Sequence, residues 1–267
     1  MSKCQIICEV GASHHGDIKQ AIKLIKAAKT VGADFVKFQI WLDLDKFVSK
    51  SSEYYEPFKE WGLSRQDWIK LYDYSQKSGI QFIASAFDNE AIDLLCDMGV
   101  PFLKIASGDI TYLPFIEYIA NKGLPVMFST GMASWEEIMK AAGIMSRKGI
   151  QSIPMICTAR YPCEPENVNL RRAQTLIATF PIWGFSDHTK GILASTVAAS
   201  LEAHYIEKHM DIEESDDACG IETFKTMIEQ IKETEKILGE VRRFYPLECE
   251  NEVRLTARRN EGTWLRE

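Results

Sequence analysis

The chain has 267 residues, is 46% hydrophobic and 26% charged, and carries a formal net charge of −7. That length can bury one large core or two small ones, and an acidic balance without a long basic run argues against nucleic acid or an anionic membrane as a partner. No stretch reaches the ~18–20 apolar residues that span a bilayer.

In chain order, the N-terminus Met1–Cys8 runs straight into an apolar segment and has no signal-peptide form. The seven cysteines include no Cys-x-x-Cys spacing; Cys4 and Cys8 fall within a predicted strand, Cys96 in a helix and Cys157 at a strand end. They read as small buried residues of a cytoplasmic protein, not as a disulfide frame. Short apolar runs at 4–10, 34–39, 81–85, 102–106, 125–129, 152–157, 182–186 and 205–209 predict strands. Most lack polar alternation, as in strands covered on both faces of a parallel sheet. Amphipathic stretches at 17–31, 64–78, 88–98, 112–122, 133–147, 167–179, 190–203 and 221–240 predict helices between them. Asp17 and Ser134 stand as N-caps, and Gly32 and Gly123 as helix ends. The Arg-Arg pair at 171–172 reads as a solvated helix face.

Eight strand–helix units in about 240 residues predict an α/β fold, a (β/α)8 TIM barrel over residues 1–240, and 241–267 as a charged tail. An open doubly wound sheet would use fewer strands and show a Gly-rich first turn. The segment 40–63 is the one long excursion, rich in Trp, Tyr, Phe and Lys, and its length marks it as functional or mobile.

In such a barrel the active site lies at the C-terminal ends of the strands. Those ends carry Glu9, Lys37 and Gln39, Ser85 and Phe87, Lys104 with Ser107 and Asp109, Ser129-Thr130-Gly131, Thr158 and Tyr161, Ser186-Asp187-His188, and Glu207-Lys208-His209. Charges near a core are costly unless paired, so a purely structural barrel has little reason for this pattern. Lysines, hydroxyls and a Gly-containing turn suit a phosphorylated or carboxylated ligand. His188 and His209, on consecutive strands, suit a divalent metal, though each alone could be a hydrogen-bonded core residue.

Seven ordered motifs resemble the sialic acid synthase (N-acetylneuraminate synthase) family over roughly residues 4–240. They are Glu9-Val10-Gly11 with His14-His15-Gly16-Asp17; Val36-Lys37-Phe38-Gln39; Lys104 to Asp109; Ser129 to Met132; Cys157-Thr158 with Tyr161-Pro162; Phe185 to Thr189; and Ile206 to His209. The resemblance implies a metal-dependent synthase that condenses phosphoenolpyruvate with a sugar aldehyde to a nonulosonic acid and phosphate. It implies that His188 and His209 hold manganese or magnesium, and that Glu9 manages protons. Ser85, Lys104, Ser107, Ser129 and Ser186 would bind phosphoenolpyruvate, and Lys37 is expected among the substrate-binding residues. Gln39, Phe87, Asp109, Tyr161 and Asp217 would contact the sugar.

The departures bear on the acceptor. Family members continue into a C-terminal antifreeze-like domain, whereas this chain ends at Glu267. Asp109 stands where Glu is common, Ala159 where Ser or Asn is common, and the segment after the last strand reads Glu214 to Gly220. Phosphoenolpyruvate chemistry is therefore expected to be retained with a changed acceptor. A homodimer, with an antifreeze-like domain as a possible separate partner, is the expected assembly. An aldolase or lyase on the same barrel, or a non-catalytic subunit, stays open.

Overall fold

The computed structural model describes residues 4–239. The tail expected over 241–267 lies outside the described residues. Eight strands, β1 (Gln5–Gly11), β2 (Phe35–Ile40), β3 (Gln81–Ala86), β4 (Leu103–Ile105), β5 (Val126–Ser129), β6 (Ser152–Cys157), β7 (Gly184–Asp187) and β8 (Tyr205–His209), close into a barrel in sequence order. All neighbouring pairs are parallel, and β8 closes on β1 with Glu9 opposite His209. The expected (β/α)8 architecture is the one observed.

The connecting helices are α1 (Ile18–Val31), α2 (Arg65–Ser78), α3 (Asn89–Met98), α4 (Leu113–Ala120), α5 (Trp135–Arg147), α6 (Ala173–Ile177), α7 (Leu193–Ser200) and α8 (Ile221–Leu238). Asp17 caps α1 by accepting from the Lys19 N–H, and Ser134 forms a capping box with Glu137. The expected helix 167–179 is broken. Pro165–Val168 makes one turn, Asn169 turns left-handed at φ 48°, and only Ala173–Ile177 continues as α-helix. Asn tolerates that conformation better than other side chains, so the chain can restart there in a new direction. Arg172 corrects the reading of a solvated pair. Its guanidinium turns inward and donates to the Val168 carbonyl at 2.9 Å and to Thr158 Oγ1 at 3.2 Å.

Period-two alternation divides the barrel interior into layers. Ile7, Phe35, Ile83, Phe102, Met127, Ile153 and Met155 form an apolar floor, separate from the larger core between strands and helices. Gly184 leaves room for that floor: a Cβ there would lie 2.2 Å from Met155 Sδ and 2.8 Å from the Tyr205 carbonyl oxygen. Two residues further along the strands, the inward positions turn polar. Glu9 follows Ile7, Lys37 follows Phe35, Ser85 follows Ile83, and Ser129 follows Met127.

The 40–63 excursion is ordered by aromatic packing. Two short helices, Leu44–Phe47 and Tyr55–Trp61, bring Phe47 against Phe87 at 4.1 Å between ring centroids and Phe58 against Trp41 at 5.1 Å. Asp88 fastens the segment. Its carboxylate accepts from the Leu42 and Asp43 N–H groups while also capping α3 through Ala91.

Candidate active site

The polar layer is a buried charge cluster. Lys37 Nζ lies 2.6 Å from Glu9 Oε2 and 3.6 Å from Glu207 Oε2, and donates to Ser85 Oγ at 3.1 Å. Lys104 Nζ donates to Ser129 Oγ at 2.5 Å and stands 3.9 Å from Glu207 Oε2. Ser186 Oγ donates to Glu207 Oε1 at 2.8 Å. All seven side chains are buried, while Glu9 Oε1 has no hydrogen-bond partner among the described residues. A buried carboxylate oxygen left without a donor is uncommon and marks a place where a ligand or water is wanted.

The two glutamates are driven apart in acidity. Burial raises the Glu9 carboxyl to about 7, against the opposing pull of Lys37. Glu207 is equally buried, but Lys104, Lys37 and the Ser186 hydroxyl outweigh that burial and hold it at about 2. Such divergence between neighbouring carboxyls supplies a fixed anion and a group able to exchange a proton near neutral pH. Burial lowers the Lys104 ammonium, whereas Glu207 and Glu9 outweigh burial at Lys37 and raise it.

Above this layer, the rings of His188 and His209 stand 5.6 Å apart between centroids. Burial is the main reason both imidazoles are lowered, His209 to about 3, so both are neutral at pH 7. His188 Nδ1 lies 2.8 Å from the Thr158 carbonyl oxygen, an acceptor only, so Nδ1 carries the proton and Nε2 the lone pair. Tyr161 donates its hydroxyl to that Nε2 at 2.9 Å and stacks on the ring at 4.0 Å. A backbone carbonyl fixing one nitrogen while the other stays basic is the usual orientation of a metal-binding histidine. Arg172, bonded to Thr158, braces this arrangement from behind. Among the described residues no group of three or more His, Cys, Asp and Glu side chains forms a closed metal cage. The residues fit an open site with two imidazole donors.

The remaining expected residues divide. Glu9 and Gln39 both border Gly11, where an added Cβ would lie 3.3 Å from Glu9 Oε1 and 3.7 Å from Gln39 Cδ. Ser107 packs under the Ser129-Thr130-Gly131 turn so closely that a Cβ on Gly131 would meet Ser107 Oγ at 2.7 Å. Asp109 has one buried carboxylate oxygen without a partner among the described residues, and burial raises its carboxyl to about 6. Phe87 is committed to the stack on Phe47. Asp217 is exposed on the β8–α8 loop, lining a 330 Å³ cavity together with His209. Glu207, expected at the rim but given no role there, lies two positions before His209 and shares its inward face. Lys208 and Asp187 point the other way. They pair at 3.1 Å behind the barrel wall, where Ser195 and Thr189 also bond the aspartate.

The sequence profile of the NeuB family matches residues 24–243. The N,N'-diacetyllegionaminic acid synthase of Legionella pneumophila is 36% identical over 88% of this chain and 73% of its own length. The human N-acetylneuraminate-9-phosphate synthase is 33% identical over 88% of this chain and 71% of its own. The crystal structure of the N-acetylneuraminic acid synthetase from Leptospira borgpetersenii, in complex with citrate, superposes with a TM-score of 0.89. It is 30% identical and covers 97% of this chain and 93% of that one. A profile that spans most of the barrel, together with relatives at this identity, establishes that the chain belongs to the NeuB family.

Proposed function

We propose that this protein joins phosphoenolpyruvate to a sugar aldehyde and releases inorganic phosphate, forming a nonulosonic acid. The observation that carries this reading is the buried layer in which two lysines, each bonded to a strand-end serine, face two carboxyls of unlike acidity. Lys104 and Lys37, with Ser85, Ser107, Ser129 and Ser186, hold the phosphate and carboxylate of phosphoenolpyruvate as point charges and hydroxyl donors. Gln39, Phe87, Asp109, Tyr161 and Asp217 form the acceptor side.

His188 and His209 would hold a divalent metal, and two nitrogen donors favour manganese over magnesium, which prefers oxygen. When bound, that ion supplies Lewis-acid polarisation of the aldehyde oxygen. Tyr161 would then give up its hydrogen bond to His188 Nε2. In the reaction, carbon three of phosphoenolpyruvate bonds to the aldehyde carbon, and the aldehyde oxygen takes a proton. Water adds at carbon two and passes a proton to Glu9, whose carboxyl exchanges protons near pH 7. The hydroxyl on carbon two then loses its proton to become the ketone. The bond from carbon two to the phosphate oxygen breaks, and phosphate leaves with the electron pair.

No helix among the described residues is long and apolar enough to cross a membrane. The free thiols of Cys8, Cys157, Cys163 and Cys219 are buried, as suits a cytoplasmic enzyme. A homodimer, with an antifreeze-like domain serving the sugar side, is the assembly this reading expects. The test is phosphate release from phosphoenolpyruvate with manganese across acylated hexoses and their phosphates. Release with any acceptor supports the synthase. Pyruvate-linked products without phosphate would mean an aldolase or lyase, and no turnover with any acceptor would count against an enzyme of this class.

A further inference from the structure

His188 Nδ1 has two partners within reach, and they ask for opposite tautomers. The Thr158 carbonyl, at 2.8 Å, only accepts, so it needs the proton on Nδ1 and leaves the Nε2 lone pair to a metal. The Cys157 thiol, at 3.8 Å, can donate instead. Its sulfur already accepts from the Ser107 hydroxyl at 3.5 Å, which leaves the S–H to point elsewhere. A thiol donating to Nδ1 would put the ring proton on Nε2 and close that nitrogen to a metal. Tyr161 does not decide between the two, since its hydroxyl can donate to a bare Nε2 or accept from a protonated one. The backbone of His188 is itself anchored, its carbonyl accepting from the Cys163 N–H at 2.8 Å. The choice therefore falls to whatever holds the Thr158 carbonyl in place.

The Arg160 N–H also bonds that carbonyl at 2.8 Å, but from the same loop, so it does not anchor it. Arg172 ties the loop down from the broken helix ahead of α6. Its guanidinium donates to the Cys157 carbonyl at 3.4 Å and Thr158 Oγ1 at 3.2 Å on one side, and to the Val168 and Asn169 carbonyls at 2.9 and 3.3 Å on the other. Thr158 Oγ1 passes its own hydrogen to the Asn167 carbonyl at 3.0 Å and closes the clamp. A planar fork of fixed donors can bridge the two segments in this way, whereas a single ammonium cannot. The geometry points to Arg172 as the positioning residue that keeps His188 in the tautomer a metal requires, with Cys157 as the competing donor. The inference rests on the reading of His188 as a metal ligand and adds the group that selects its tautomer.

The test is nitrogen NMR of the isotope-labelled histidines in the metal-free full chain, with manganese affinity measured in parallel by electron paramagnetic resonance. In the wild type His188 is expected as the Nδ1–H tautomer. Arg172→Met is expected to move it to the Nε2–H tautomer and to weaken manganese binding roughly 10–100-fold, the usual cost of losing an outer partner of a metal-binding histidine. Arg172→Lys should move both readings in the same direction, while Arg171→Met, on the exposed neighbour, should move neither. Arg172→Met/Cys157→Ala should bring both back towards wild type, because no thiol remains to compete; a variant that had merely lost its fold would not be repaired that way. An unchanged tautomer in Arg172→Met, or a double variant that is not restored, would overturn the inference. A tautomer that responds to Arg172 in a wild-type protein that binds no manganese would support the positioning role and bring down the metal reading alone.

Discussion

Replacing Glu207 with Gln isolates the electrostatics of the buried layer. Glu207 is its hub, 3.6 Å from Lys37, 3.9 Å from Lys104 and 2.8 Å from the Ser186 hydroxyl. A carboxyl held from 4.5 down to about 2 corresponds to about 3 kcal/mol of stabilisation of its charged form. Gln keeps the shape and can accept from Ser186, but leaves Lys104 buried with only Ser129. Breaking one side of a buried pair costs about 3–5 kcal/mol. For a chain of this size that corresponds to a fall in Tm of roughly 10 °C. Urea titration at pH 7 measures it, and the double variant Glu207→Gln/Lys104→Met should recover at least half, because the orphaned cation is gone. The pH dependence has a definite sign. The folded-state acidity of Glu207 is strengthened, so its contribution is complete above 4.5 and is lost as pH falls towards 2. The gap between wild type and variant should therefore close as pH falls from 4.5 towards 2. A loss under 1 kcal/mol at pH 7, or a gap that persists undiminished below pH 3, would refute the account.

Other expectations are as direct. His188→Ala or His209→Ala should abolish manganese-dependent phosphate release while leaving the circular dichroism spectrum unchanged; full activity in metal-stripped buffer would remove the metal from the reading. Lys104→Ala should raise KM for phosphoenolpyruvate at least roughly tenfold, with a smaller change for the acceptor. Gly16→Ala should loosen the aromatic segment, because its φ is 75° and a Cβ would lie 2.6 Å from the Glu60 carbonyl oxygen; the cost is about 1–3 kcal/mol, visible as faster proteolysis within 40–63. Asp109, raised to about 6 by burial, favours the fold below pH 4 and loses that contribution as pH rises through 6. Asp109→Asn should accordingly be more stable than wild type at pH 8 by about 3 kcal/mol, with the advantage gone at pH 4.

The barrel was legible because buried parallel strands are short apolar runs, and all eight appear where the runs do. Much of the site was legible too, since strand ends converge at one rim whatever the helices between them do. Glu207 could have been read from alternation alone, as its neighbour His209 fixes the inward face. The break at Asn169 was not legible. The helical pattern continues through it, and only the left-handed backbone and the inward turn of Arg172 divide it. The order within 40–63 was equally hidden, because it depends on contacts with Phe87 and Asp88 from another strand end. The pull of the two glutamates in opposite directions depends on how many positive and donor groups each one gathers, Lys37, Lys104 and the Ser186 hydroxyl at Glu207 against burial and the Glu207 charge at Glu9, which spacing cannot express.

The seam between β7 and β8 carries charge on both of its faces, with Glu207 inside and Lys208 bound to Asp187 outside. Apolar alternation, which normally tells a strand which way to face, is therefore weak here. Charge supplies the missing instruction. A slip of one residue along β8 would swing Lys208 into the interior beside Lys37 and Lys104 and would leave Asp187 without its cation. Three ammonium groups in a dry space would repel one another strongly. The same residues that prepare the interior for an anion thus also act as a ratchet on assembly, allowing the last strand to close the barrel in one alignment only.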